Sequence, residues 1–476
     1  MSAARPARVT ALLCFLVLST APTHGCRKNS SPTKRPRSKP NVILISIDTL
    51  RADHLPMYGY QRDTAPNLSS LSKDAVLFDQ AYAGQVNTAP SHASMLTGLY
   101  PSQHGIRRNA MSLREDVPTL ASILGEQGYA TGAFVSGWTL RKHTKLDRGF
   151  DTYDDDFSPQ RWERAGDRTY EAARQWVSSI GRDKPFFLFL HLFDPHYPYF
   201  PPRHYAMRFL PSGSKVRNRG YNGVPGYGWQ LLSDRARSEL VARYDGEIAL
   251  ADEQVGRLLT LLRRRGIARD TVIVFTSDHG ETLFERDCGV EHGARPYDEQ
   301  VHVPLMIRFP KGAAAGKRIA AQVHHVDLLP TLLEWLKLPA VKAATGRSLM
   351  PLIQGTGAWD EPRPVFSNAT PRPNRLRRLE HEAALVKTGL VASIRLPDVK
   401  LIEYPTEDGG WYRELFLLES DPQEDTNVSD QHPVLSDTLH EQLERWRASG
   451  SDSAPPPPTE IPEDLKEGLR ALGYAE

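Results

Sequence analysis

Apolar residues fall along this chain in two textures. The first opens at Asn41 with Val-Ile-Leu-Ile-Ser-Ile and closes on Asp48, a near-continuous β-branched run of the kind that fills a central parallel strand covered on both faces. Similar runs recur at Pro185-Phe-Phe-Leu-Phe-Leu-His191 and at Thr271-Val-Ile-Val-Phe-Thr-Ser277. Between these two, Leu240, Tyr244, Ile248, Ala251, Val255, Leu258 and Leu262 recur at spacings of three and four, which predicts one face of a long amphipathic helix. Strands alternating with helices predict an α/β fold with a doubly wound, mostly parallel central sheet. Such sheets bind ligands beyond the carboxyl ends of their strands, where Asp48, His191 and Asp278 fall.

The second texture begins after about residue 365, with short alternating segments at Ala384-Leu-Val-Lys-Thr, Leu401-Ile-Glu-Tyr and Glu414-Leu-Phe-Leu-Leu. These predict a small C-terminal antiparallel sheet, closed by a helix from about Val434 to Trp446. The chain therefore divides into a main unit over 41–364, a subdomain over 365–449 and a tail over 450–476. The tail opens on a polyproline stretch, and a last short helix is expected from Leu465 to Leu472.

The first 26 residues read differently. Arg5 and Arg8 precede an apolar run from Ala11 to Leu18, and Thr23-His24-Gly25-Cys26 follows, which is the order of a secretion signal. The run is far short of the roughly 20 apolar residues that a membrane-spanning helix needs. Gly25-Cys26 resembles a bacterial lipoprotein cleavage site, so the expectation is export to the periplasm or cell surface, with membrane attachment through a lipidated Cys26. Residues 27–40 are basic and rich in Pro and Ser, which describes a tether. With Cys14 and Cys26 set aside, Cys288 stands alone in the body, so no disulfide framework is available. Lys+Arg 59 against Asp+Glu 57 leaves almost no net charge, and nothing in that balance points to nucleic acid.

Three separated segments bring metal-type ligands to strand ends: Asp48, Thr88 within Asn87-Thr-Ala-Pro-Ser-His-Ala-Ser-Met-Leu-Thr-Gly98, and Asp278-His279-Gly280-Glu281. Two hard carboxylates and an imidazole can hold a divalent cation while leaving positions for a nucleophile and a substrate. Each alone has a bland alternative, since Asp-His after a strand also caps a helix.

Read together and in order, these segments and others resemble the sulfatases of the alkaline phosphatase superfamily from about Asn41 to Trp446. The resemblance runs through Ile47-Asp-Thr-Leu-Arg-Ala-Asp53, Ala65-Pro-Asn-Leu68, the Thr88 segment, Leu96-Thr-Gly-Leu-Tyr-Pro101 and Gly149-Phe-Asp151. It continues through Asp194-Pro-His-Tyr-Pro198, Ser277-Asp-His-Gly-Glu281, Glu291-His-Gly293, Val303-Pro-Leu305 and Asp327-Leu-Leu-Pro-Thr331. It implies a catalytic domain over 41–364 and a metal at Asp48, Thr88, Asp278 and His279, with calcium, zinc and manganese all open. His196 and His292 match positions that contact the transferred anion or the leaving group; as neutral imidazoles they would suit a second cation with Asp194, as cations a nonbridging oxygen. His191 is given no catalytic role, and Glu281 either orients a ligand or opens a helix.

The chain departs from that family where the chemistry is most specific. Sulfatases oxidise the Cys or Ser of a C/S-x-P-x-R signature to formylglycine, whereas here the signature reads Thr88-Ala-Pro-Ser-His92. Threonine cannot yield the aldehyde, because its extra methyl group makes any oxidation product a ketone. The final arginine is replaced by His92, which leaves Arg51 and Arg295 as the nearest candidates for a cationic clamp, although a basic side chain at a strand end more often forms a surface salt bridge. Thr49 stands where a second carboxylate would, and Phe134-Val-Ser-Gly-Trp138 stands where many sulfatases grip sulfate. Phosphodiesterases, nucleotide pyrophosphatases and phosphoethanolamine transferases of the same superfamily use an unmodified threonine. The expectation is thus a metal-dependent hydrolase or transferase acting on a phosphate ester through Thr88, with a small-molecule, glycan or lipid ester as substrate. Sulfate-ester hydrolysis without formylglycine, and a catalytically silent binding lipoprotein, are the alternatives.

Overall fold

The computed structural model describes residues 39–157, 163–214, 232–287, 289–357, 363–370 and 390–450. The signal segment, Cys26, most of the tether, Cys288, the strand expected near Ala384 and the proline-rich tail lie outside the described residues.

Among the described residues, ten strands belong to the main unit: β1 Asn41–Ile47, β2 Val76–Tyr82, β3 Ala130–Phe134, β4 Thr152–Asp154, β5 Phe186–Leu192, β6 Thr271–Ser277, β7 Thr282–Leu283, β8 Val290–Glu291, β9 His302–Arg308 and β10 Arg318–His324. Eight of them form one sheet in the order β10-β2-β9-β6-β1-β5-β3-β4, and β7 and β8 form a separate small hairpin. β6, β1, β5, β3 and β4 are mutually parallel, whereas β9 runs antiparallel between β6 and β2. The mostly parallel sheet expected from the apolar runs is present, with this one reversed strand inside it.

The runs are continuous because both faces are covered. Every residue of β1, β5 and β6 is buried. Val42 and Leu44 pack with Ala89, Leu96, Leu124 and Leu332 on one face, while Ile43, Ile45 and Ile47 pack with Leu68, Val177 and Leu258 on the other. The long amphipathic helix spans Asp234–Arg264 and starts at Ser233, whose side chain accepts the Ala236 N–H. Its buried stripe contains all seven residues whose spacing announced it.

The second sheet is antiparallel in the order β11-β12-β13-β14, with β11 Val365–Ala369, β12 Val391–Arg395, β13 Val399–Pro405 and β14 Trp411–Leu417. The helix Pro433–Ser449 lays Leu439 and Leu443 against Ala392, Ile394, Leu401 and Leu415. β11 also touches the main unit, because Asn368 donates its N–H to Gly84 O at 3.0 Å, on the segment that leads into Thr88. A buried charge network makes the second attachment: Asp298 pairs with Lys400 at 2.8 Å and Arg395 at 3.1 Å, and Lys400 also reaches Glu424 at 2.6 Å.

Candidate active site

The site is built at the carboxyl ends of β1 and β6. These strands pair in register, Ile47 opposite Ser277, so Asp48 and Asp278 leave the sheet side by side. Thr49 then takes φ 54°, a left-handed conformation that a β-branched residue rarely adopts. Its N–H donates to Asp278 Oδ1 at 3.1 Å and its carbonyl accepts from the buried Tyr244 hydroxyl at 2.8 Å. The His279 N–H donates to the same Asp278 oxygen at 2.9 Å, so two backbone donors fix that carboxylate through one oxygen. His279 Nδ1 donates to Gly280 O at 2.9 Å, which puts the ring's lone pair on Nε2.

Three ligand atoms result. Asp48 Oδ1, Asp278 Oδ2 and His279 Nε2 are buried, have no hydrogen-bond partner among the described residues, and lie within 4.8 Å of one another. Burial and the Asp278 charge push the Asp48 carboxyl well above its ordinary range. Burial would raise Asp278 too, but His279, His92 and His191 pull it down. Adjacent buried carboxylates ionise together only against a compensating positive charge. Two hard oxygens and one imidazole fit a divalent cation; the donor set does not choose among calcium, zinc and manganese.

Thr88 opens the helix Thr88–Thr97, every residue of which is buried, and its hydroxyl lies 3.5 Å from Asp48 Oδ2. Three anchors place this helix start. The Ala89 N–H donates to Asn109 Oδ1 at 2.9 Å, and the Ser91 hydroxyl donates to the Asp278 carbonyl at 2.6 Å. His92 is the third. A carbonyl only accepts, so its Nδ1–H donates to Thr88 O at 2.8 Å, which leaves Nε2 to accept from the Ser46 hydroxyl at 2.9 Å on β1. Burial holds the ring neutral, at about 3. Where the family signature has an arginine, this chain has an uncharged strut between Thr88 and the sheet.

Of the two proposed clamps, Arg51 is engaged elsewhere. Arg51 is turned to Asp53 and Glu285, at 2.7 and 2.8 Å, and donates to the Glu281 carbonyl at 3.0 Å. Its charge is already matched by two carboxylates, which corrects the sequence expectation. Arg295 is buried and its charge bears on Tyr297 and Glu414, beside the C-terminal sheet.

His196 and His292 do come to the site. The ring of His292 lies 4.7 Å from that of His279 and 4.9 Å from that of His196, whose other face stacks on Phe193 at 4.3 Å. Glu281 orients His292 by accepting its Nδ1–H at 2.8 Å, and takes the Tyr199 hydroxyl on its other oxygen at 3.3 Å. Burial, then the neighbouring His292, holds His196 at about 3, and its Nδ1–H donates to Tyr197 O at 2.6 Å. The neutral form of His196 is thus the one the fold supports. Asp194 accepts the Gly166 N–H at 3.3 Å instead of joining the three ligand atoms. His191 has more to do than end its strand: its Nδ1 accepts from the Ser136 N–H, so its Nε2–H donates to Asp48 Oδ2 at 3.3 Å. Sequence reading missed Asn109 and Tyr199 as well, because single polar residues in aperiodic loops carry no local signal. The Asn109 amide nitrogen and the Thr139 hydroxyl are buried and without partners among the described residues.

With this geometry in place, comparison decides the family. The family model for sulfatases matches residues 40–338. The chain belongs to the sulfatase family. It is therefore an ester-hydrolysing enzyme of the alkaline phosphatase superfamily. It is 24% identical to an N-acetylglucosamine-6-O-sulfatase of Bacteroides thetaiotaomicron, over 88% of this chain and 87% of that one. A multifunctional alkaline phosphatase superfamily protein of Trinickia caryophylli is 27% identical, over 66% and 77% of the two chains. Among solved structures, the phosphonate monoester hydrolase of Agrobacterium radiobacter superposes with a TM-score of 0.70 at 23% identity, covering 87% of this chain and 96% of that one.

Proposed function

We propose that this sulfatase-family enzyme cleaves or transfers a phosphorus ester, a phosphate or phosphonate, with Thr88 as an unmodified nucleophile. The observation that carries the reading is the convergence of the partnerless Asp48 Oδ1, Asp278 Oδ2 and His279 Nε2 beside the Thr88 hydroxyl. A divalent cation held by these three residues would supply the charge that lowers a nearby hydroxyl's pKa and polarises the ester. Thr88 Oγ1 attacks phosphorus, and its proton leaves toward Asp48 Oδ2, which it already faces. The bond from phosphorus to the departing oxygen breaks, and that oxygen takes a proton from His292, whose charged form Glu281 balances at 2.8 Å. His92 holds the Thr88 backbone; a water that gives a proton to the now neutral His292 then attacks phosphorus, the bond from phosphorus to Thr88 Oγ1 breaks, and Oγ1 takes back the proton held by Asp48.

Sulfate esters form the second reading, favoured by the relatives that are sulfatases. The test is metal analysis of the purified protein together with turnover of aryl phosphate, phosphodiester, phosphonate and sulfate esters, and rapid quench with a labelled phosphoester followed by peptide mapping. Label on Thr88 is expected, with Thr88→Ala lowering turnover roughly 10³-fold or more and Thr88→Ser retaining substantial activity. Full activity in Thr88→Ala refutes the assignment; preferential turnover of sulfate supports the second reading; absence of both metal and turnover leaves the silent binding protein. Export and lipidation at Cys26 belong to the same proposal, supported by the order of charged, apolar and small residues before Cys26. An intact Met1 terminus in mature protein would sink that part.

A further inference from the structure

The end of the sheet opposite the site has a composition of its own. β1, β5 and β6 all start there, since Asn41 pairs with Thr271 and Val42 with Phe187, and antiparallel β9 ends there, with Arg308 beside Ile273. Lys39 and Lys184 precede β1 and β5, while Arg263, Arg264 and Arg269 lie on the turn from the long helix into β6. Lys184, Arg263, Arg264 and Arg269 are exposed.

These cations are not matched by carboxylates. Arg51, Arg164, Arg286, Arg363, Arg395 and Arg413, elsewhere in the fold, each enter an ion pair. At this end several bonds go to neutral carbonyls: Lys39 to Gln127 O at 2.9 Å, Arg265 to Val177 O and Ile180 O at 2.5 and 2.8 Å, and Arg308 to Ala268 O at 2.5 Å; the exceptions are Arg318 at the start of β10, which pairs with Asp79 at 2.6 Å, and Asp74, whose charge acts on Arg308. Asp74, Asp183, Asp270 and Glu126 share the end but form no ion pair within 4 Å among the described residues, and they are outnumbered. A chain with almost no net charge has therefore collected unmatched positive charge on one end.

Residues 27–38 precede Lys39 in the sequence, and they carry Arg27, Lys28, Lys34, Arg35 and Arg37 with no acidic residue. We propose that this end of the enzyme lies against an anionic phospholipid surface. Basic residues on a protein surface and on a chain segment covalently continuous with it add their attractions to anionic headgroups. A seven-residue strand is roughly 20 Å long, so the same orientation turns the Asp48 and Asp278 ends of β1 and β6 away from the bilayer, toward substrates in solution.

The test compares the full chain carrying Cys26→Ser, which has no acyl group, with the same chain carrying Lys184→Glu, Arg263→Glu, Arg264→Glu and Arg269→Glu. The quantity read is partition onto phosphatidylglycerol-containing vesicles divided by partition onto pure phosphatidylcholine vesicles, which cancels any contribution from the apolar run Ala11 to Leu18. The ratio should fall at least about 10-fold in the reversed variant, and should collapse for the parent between about 0.05 and 0.5 M salt. Hydrolysis of a soluble aryl ester should match in both proteins, as the four residues lie at the far end of the sheet. An unchanged ratio in the variant overturns the proposal. So does a parental ratio near one with strong retention on heparin, which would assign the surface to a polyanionic glycan.

Discussion

Among the described residues, the buried charge cluster around Asp298 and the one at the ends of β1 and β6 are organised in opposite ways. Around Asp298, unlike charges pair: Lys400 and Arg395 meet Asp298, Lys400 meets Glu424, and the Arg286 guanidinium donates to the carbonyls of Gln423 and Glu424. At the ends of β1 and β6, like charges converge and their ligand atoms face one another without hydrogen-bond partners. The first arrangement matches each charge with an opposite one and joins the C-terminal sheet to the main unit. The second leaves three ligand atoms placed where they could hold a cation. Burial and charge alone do not separate the two; the pairing of the individual atoms does.

Changing one residue in each cluster should break the comparison in opposite directions. Asp48→Asn puts an NH2 group, which cannot ligate, at the Oδ1 position, because the remaining oxygen is the one that accepts from His191 and Thr88. Metal content by elemental analysis should drop, and turnover should fall by about 10³-fold, on the scale of a lost Lewis acid. Stability of the metal-free protein in urea should hold or rise, because burial and Asp278 disfavour the Asp48 carboxylate. Large destabilisation with unchanged metal content would place Asp48 in the structural class. Lys400→Met should do the reverse. It leaves Asp298 and Glu424 buried without their shared cation, at a cost of about 3–5 kcal/mol in the urea midpoint, while metal content stays at parental stoichiometry.

A smaller effect is expected at His92. His92→Phe keeps an aromatic ring beside Phe189 but removes both bonds, so Thr88 O and Ser46 lose their link. Turnover should drop about 10-fold with metal content retained, as for residues that orient a reacting group. An equal loss of metal and turnover would instead give His92 a part in holding the cation, across the 3.8 Å to Asp278 Oδ2.

The smallest effect concerns pH. Burial, only partly offset by the Gly166 N–H, raises the Asp194 carboxyl from 3.8 to about 6. A group whose folded pKa is raised binds more protons when folded, so its contribution to stability is full below pH 3.8 and is lost as pH rises to 6. Asp194→Asn should flatten that part of the stability profile measured by urea titration between pH 4 and 6. A parallel profile in the variant would show that the loop carrying His196 is not held by a protonated Asp194.

The sequence by itself determined the central strands of the sheet and the positions of the candidate ligands. A β-branched run ending on Asp48, another ending just before Asp278-His279, and a stripe from Leu240 to Leu262 are local patterns, fixed by side-chain period and burial. It also showed that Thr88 cannot become formylglycine, since that is covalent chemistry. Tertiary structure alone decided what each ligand's neighbours do. His92 meets Ser46 across 46 positions, Thr49 meets Asp278 across 229, and Arg51 meets Glu285 across 234, a contact that removed Arg51 from the clamp role. The reversed β9 and the pairing of Asp298 with Lys400 are decisions of the same kind. No local pattern encodes such contacts, because they form only when distant segments close-pack, and each polar atom's partner is set by geometry that a one-dimensional period does not contain.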